Sequence, residues 1–215
     1  MQRSLQPRVI SSNTPSASLL PLRALLRVKI HTNMNENPGN GPVLETPRLI
    51  LCAFREDDID PLAALMANPD FMRFSLGIFS RAQTRAFLDK VLNWNRAGLP
   101  SQFAVILRET HELIGFCGFL HQVVDDTNEI EISYRLHPSR WNRGLATEAA
   151  KAVRDHGFRD LHLPRLISLI HPENTPSRRV TEKNGMILEK ETVFRRSPAF
   201  VFAISREEWA AAGAA

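Results

Sequence analysis

From Arg48 onward the chain is a series of short apolar runs separated by polar links, and two hydrophobic periods take turns along it. RLILCAF, at Arg48 to Phe54, is an apolar run of strand length. REDDIDPLAALMANPD follows from Arg55 with acidic N-terminal signals and helical spacing. Residues 71–79 carry no clear period. SRAQTRAFLDKVLNWNRAG, at Ser80 to Gly98, then opens on an N-cap serine and spaces Ala86, Phe87, Val91, Leu92 and Trp94 as one helix face. Next come three strand-like segments, at 102–109, 112–123 and 128–136, joined by the short polar links TH and VDDT, and these predict an antiparallel meander. In the third, Ile130, Ile132 and Tyr134 alternate with Glu129, Glu131 and Ser133, so both glutamates share one face, an unusually polar one for a central strand.

Beyond the meander the pattern predicts a helix over 144–160, a strand over 165–170, a helix over 174–184 closed by Gly185, and strands over 186–193 and 200–205. The fold class is therefore α/β (α+β): a mixed, mainly antiparallel twisted sheet with helices on both faces.

Residues 1–43 lack this patterning. They are rich in Ser, Pro, Asn and Arg and end in NENPGNGP, which predicts a disordered leader or extension ahead of one domain over 44–215. Charge sharpens the division. The chain carries +4, but Arg3, Arg8, Arg23, Arg27 and Lys29 stand in the first 33 residues with no acidic residue, leaving −1 for the remainder. A nearly neutral domain argues against a nucleic-acid partner, which calls for a clustered basic footprint. The leader reads either as a transit peptide or as a dispensable extension upstream of Met34. Its most apolar stretch, Leu19 to Leu26, is broken by Pro21 and Arg23, so no membrane partner is expected and the location is cytoplasmic.

Cys52 and Cys117 both sit in apolar strand-like runs, which suits buried thiols in a reducing compartment rather than nucleophiles. No Gly-x-Ser-x-Gly elbow occurs, and the seven histidines are scattered without metal-ligand spacing, so neither an acyl-enzyme nor a metal is expected.

The segment richest in chemistry is HPSRWNRGLATEAAKAVRDHGF, at His137 to Phe158, where a strand ends, a basic loop containing glycine follows and a helix begins near Leu145. Backbone N–H groups at a helix start are unpaired and carry partial positive charge. With Gly144 allowing close approach and Arg143 adding charge, the junction suits a pyrophosphate, although a lone glycine before a helix is also a plain loop residue. Asn174 and Ser177, in HPENTPSRR, read on their own as helix-capping residues.

WNRGLA, at Trp141 to Ala146, resembles in part the acyl-CoA loop of the GNAT superfamily, Gln/Arg-x-x-Gly-x-Gly/Ala. Residues 141–149 are closer to the branch of the RimJ and RimL ribosomal-protein acetyltransferases, which reads Trp-Gly-x-Gly-x-Ala-Thr-Glu-Ala. Asn142 replaces a glycine of that pattern, a tolerable exchange if the position is left-handed. The resemblance extends to LETPRLIL from Leu44, EISYRLHP from Glu131, HPENTPSRRVTEKNGM from His171 and SREEW from Ser205, in the same order along the chain. It implies acetyl-CoA as co-substrate and no metal. Leu136, His137, Arg143, Gly144, Leu145, Ala146 and Thr147 would bind the cofactor, with Asn174 and Ser177 beside the pantetheine arm. The acceptor would be an amine, on a protein N-terminus or a small molecule, and the protein a monomer or homodimer.

Acetyl transfer needs a neutral amine, and alkylamines are mostly protonated near neutrality, so a base helps. Glu131 aligns with the glutamate before the family's Ile-Gly-Tyr segment and is the first choice; Glu129 on the same face is the second. Both also read as a solvated sheet face. Many GNAT enzymes donate a proton to the leaving thiolate from a late tyrosine. Tyr134 is the single tyrosine here and stands before the loop, which makes Ser177 the candidate acid. Residues 71–100 are expected to decide the acceptor. The missing late tyrosine and Asn142 in the loop leave open a non-catalytic acyl-CoA-binding or interaction module, and the range of acceptors among similar sequences leaves open a small-molecule or antibiotic N-acetyltransferase.

Overall fold

The computed structural model describes residues 42–75 and 77–213. Apart from its last two residues, the expected leader lies outside them. Strands β1 (Pro42–Glu45) and β2 (Leu49–Ala53) form a hairpin, and a single 3-10 turn leads into α1 (Ile59–Met66). Helix α2 (Arg81–Arg96) starts at Ser80, whose hydroxyl accepts from the Gln83 N–H while the Gln83 side chain accepts from the Ser80 N–H, a reciprocal cap. The meander follows as β3 (Gln102–Leu107), β4 (Glu112–Val124) and β5 (Thr127–Leu136). The rest of the chain is α3 (Leu145–Arg159), β6 (Arg165–Ile170), α4 (Thr175–Lys183), β7 (Ile187–Phe194), β8 (Ser197–Ser205) and α5 (Arg206–Ala211).

The sheet has eight strands in the order β1-β2-β3-β4-β5-β6-β8-β7. Every neighbouring pair is antiparallel except β5 and β6. The sheet and its helices fit the expected class. Sequence periodicity did not announce the edge strand β1, the short α5, or the insertion of β8 between β6 and β7.

The alternation along the strands feeds a separate apolar layer on each face. On one side Leu51, Phe119, Ile132, Leu136 and Phe202 pack beneath Leu145, Ala149 and Val153 of α3. On the other, Ala104, Ile106 and Phe116 meet Leu62, Leu88 and Val91 of α1 and α2. Burying two layers at roughly 25 cal/mol per Å² of apolar surface holds the sheet rigid between its helices.

That rigidity has one planned interruption. β4 and β5 stay in register from Gly115 opposite Leu136 to Val124 opposite Thr127, whereas β5 and β6 share only the pair Glu131 and Ile167. Beyond it the two parallel strands part, and side chains replace the ladder: Ser168 Oγ donates to the Ile132 carbonyl at 3.0 Å, and the Leu169 backbone N–H bonds the Glu131 carboxylate.

Candidate active site

A cleft of about 730 Å³ lies over this gap on the α1 and α2 side of the sheet. Its floor is Glu131, Ser133 and Arg135, the polar face that the alternation in β5 predicts. Its walls come from residues 72–75, α2, the end of β6 and the β7–β8 hairpin, so residues from the 71–100 stretch do reach it.

Glu131 is buried at the base, 8% exposed. Its Oε2 accepts from Gln122 Nε2 at 2.6 Å, and the Leu169 N–H supplies a second bond. Burial raises its pKa above the ordinary carboxylate value; the hydrogen bonds from Gln122 and Leu169 and the charges of Arg135 and Arg195 oppose that rise without cancelling it. A carboxyl held this way accepts a proton more readily than a solvated one. Glu129 faces the same side but is spoken for: it pairs with Arg165 at 3.2 Å, and Arg165 also grips Glu189 at 2.8 Å.

The loop between β5 and α3 is the second part of the site. Asn142 has φ 58°, the left-handed conformation under which an asparagine can stand for glycine, and Gly144 follows at φ 75° as the N-cap of α3. Asn142, Arg143 and Gly144 are exposed, Ala146 and Thr147 are half-buried in the first turn, and Leu145 and Leu136 are core residues that can offer only backbone. Trp141 Nε1 donates to the Leu136 carbonyl at 2.7 Å, folding the loop back on the strand end. The His137 ring is engaged locally, accepting from the Ser139 N–H at 3.3 Å and 2.8 Å from its hydroxyl. An exposed helix start with a left-handed glycine and an arginine beside it fits a pyrophosphate group.

What holds this loop had no assigned role in the sequence reading. Glu148 in the first turn of α3 accepts from Thr46 Oγ1 at 2.6 Å, from the Arg48 N–H at 2.9 Å and from Arg48 Nε at 2.6 Å, and Arg48 Nη1 donates to the Arg143 carbonyl at 2.8 Å. Burial alone would raise the Glu148 pKa, but these bonds and the Arg48 charge outweigh it and hold the carboxyl below its ordinary value. The β1–β2 turn thus clamps the start of α3. The signal was present as two segments of the resemblance, LETPRLIL and ATEA; their contact, about 100 residues apart in sequence, is a tertiary fact.

Asn174 caps α4, its Oδ1 accepting from the Ser177 N–H at 3.2 Å. Ser177 is half-buried and does not line the cleft that Glu131 floors. Tyr134, on the opposite face of β5 from Glu131, donates to the Ser177 carbonyl at 2.9 Å and lies 3.2 Å from Thr181 Oγ1. Burial keeps its phenol protonated well above the ordinary range, so this tyrosine braces α4 against the sheet. Cys52 and Cys117 are free, and burial pushes both thiols up, against a nucleophilic role. Among the described residues no group of His, Cys, Asp and Glu is arranged to hold a metal, and no helix is long and apolar enough to cross a membrane.

Comparison with known proteins bears on the family and the fold. The family model described as "Acetyltransferase (GNAT) domain" matches residues 48–187. The chain is 31% identical over 175 residues to the uncharacterized N-acetyltransferase YnaD of Bacillus subtilis, covering 77% of this chain and 98% of that protein. A GNAT-family acetyltransferase structure from Bacillus anthracis superposes with TM-score 0.65 at 30% identity, covering 76% of this chain and 98% of that one. The fold also matches Mycobacterium smegmatis RimJ, solved with CoA-disulfide, with TM-score 0.62 at 21% identity over 81% and 94% of the two chains.

Proposed function

Because this chain belongs to the GNAT acetyltransferase family and is an acetyl-CoA-dependent acyltransferase, we propose that it acetylates a primary amine by direct attack, the acceptor being the α-amine at a protein N-terminus. The observation that carries the reading is the buried Glu131 carboxyl at the point where β5 and β6 part.

Bound acetyl-CoA supplies the acetyl group as an activated thioester. Arg143 and the first-turn amides of α3 hold its pyrophosphate, Leu136 and His137 meet it through backbone, and Asn174 and Ser177 stand beside its arm. Glu131 takes the proton of the attacking amine directly or through one water, and its raised pKa brings it nearer that of the amine it serves. The Ser177 hydroxyl, which stands outside the Glu131 cleft on the Tyr134 face of β5, gives a proton toward the leaving sulfur from that side. Residues 1–43 act as a leader dispensable for this chemistry, and the enzyme works in the cytoplasm.

Release of free CoA by residues 34–215, with acetyl-CoA and a panel of peptides and small amines, tests the reading. Acceptor-dependent turnover that falls about 10²- to 10⁴-fold in Glu131→Gln supports it. Acetyl-CoA binding with no turnover on any amine supports a non-catalytic module instead, and turnover confined to small amines moves the acceptor out of the protein class.

A further inference from the structure

The cleft holds a second charged group whose role the chemistry above does not use. Arg135 stands on the Glu131 face of β5, four residues on, and the two charged groups act on each other through space across the cleft floor. The Arg135 side chain is half-buried, and the loss of water around the guanidinium lowers its pKa. Its contacts are neutral: Nη1 donates to the Ser75 hydroxyl and lies 3.2 Å from the Met72 thioether, a weak acceptor. Among the described residues no carboxylate lies within ion-pair distance of it, and Glu131 acts on it only through space. A guanidinium withdrawn from water with neutral partners lacks the bidentate acceptor that its planar fork fits best.

The rest of the cleft fits a counter-anion. Arg195, on the β7–β8 turn, lines the same space, where it bonds the Gln122 side chain at 3.2 Å and lies over the Phe194 ring; Arg73 and Lys90 add positive charge to the lining, and Phe79, Phe87, Trp94 and Phe116 make an aromatic wall. Glu173 is the other acid on the lining, and it is exposed at the rim. A buried carboxylate and guanidinium groups on one lining, with an apolar wall beside them, complement a molecule that is itself an ammonium and a carboxylate on an apolar body.

We propose that the acceptor amine carries a carboxylate a few ångströms from its nitrogen, and that Arg135 is the specificity-determining residue that binds this carboxylate while Glu131 faces the amine. The inference rests on the acyltransferase reading above. The carboxylate has two sources, the α-carboxylate of a free amino acid or an acidic side chain at the start of a polypeptide.

The test is kcat/KM for matched acceptor pairs: phenylalanine against phenylalaninamide, and peptides beginning with Asp against the same peptides beginning with Asn. Wild type is expected to favour the carboxylate member of one pair by about tenfold or more, and that pair identifies the source. Arg135→Gln should erase the preference, Arg135→Lys should keep part of it, and KM for acetyl-CoA should stay unchanged. The ratio of two acceptors on one protein sample does not depend on how much of it is folded. No preference in wild type, an equal loss on both members of each pair, or a raised KM for acetyl-CoA in Arg135→Gln overturns the inference while leaving acetyl transfer intact. Acetyl-CoA binding with no turnover of any amine overturns the acyltransferase reading and this inference together.

Discussion

At the scale of single residues, Glu131 and Ser177 make different demands on their neighbours. Glu131 bonds Gln122 and Leu169 at the base of the cleft, so its protonation state is set by burial against those donors. The Ser177 hydroxyl plays no part in capping α4, because the cap runs from Asn174 Oδ1 to the Ser177 backbone N–H. Ser177→Ala should therefore leave the thermal midpoint nearly unchanged, and a fall in kcat would report the hydroxyl's chemistry alone. Asn174→Ala should cost about 1 kcal/mol of stability, read by denaturant unfolding. Glu131 was legible in the sequence because strand alternation is a local rule and the resemblance selected one of two glutamates. Arg135 and Gln122 were not, since their meaning comes from which groups face them across strands and loops.

Among the elements, the clamp from the β1–β2 turn to α3 positions the loop that meets the cofactor. Glu148→Gln keeps the shape but weakens three charge-assisted bonds, and is expected to raise KM for acetyl-CoA several-fold while KM for the acceptor moves little. A depressed carboxylate stabilises the fold above its unfolded pKa, and that stability is lost as pH falls through the depressed folded value. The Glu148→Gln variant should accordingly lose stability relative to wild type at neutral pH and converge on it in acid, as followed by thermal unfolding. A second constraint lies in β4, where a Cβ on Gly115 would overlap the Arg135 carbonyl oxygen. Gly115→Ala should destabilise by about 1–3 kcal/mol or more and disturb the strand that carries the cleft floor. Long periodic elements were legible in part: α2 announced its cap and two of its buried residues, Val91 and Leu92, but the face read from the sequence included the exposed Ala86 and left out Leu88 and Thr84, which are fully buried. β1 has four residues, the first of them Pro42, with Pro47 just beyond its end, and α5 has six, too few for a period to emerge.

For the whole molecule, function follows from one topological choice. A chain of antiparallel pairs is interrupted by a single parallel pair, and parallel strands that diverge open a gap in a sheet otherwise sealed by two apolar layers. The meander and the class of the fold were legible from hydrophobic pattern, but the placement of β8 between β6 and β7 was not, because strand order beyond neighbouring hairpins is decided by packing. Burial at the gap gives Glu131 its raised pKa, so the most direct measurement is the pH profile of kcat/KM on one acceptor for wild type and Glu131→Gln. As pH falls, wild type should lose activity while still above the ordinary carboxylate range of about 4.3, because the base is protonated there. The acceptor amine's own protonation gives both proteins one acid limb, so the variant should run at least about 10²-fold lower and keep that limb while lacking the further one due to Glu131. A variant with wild-type rates, or one whose whole pH profile parallels the wild type's, would contradict the account.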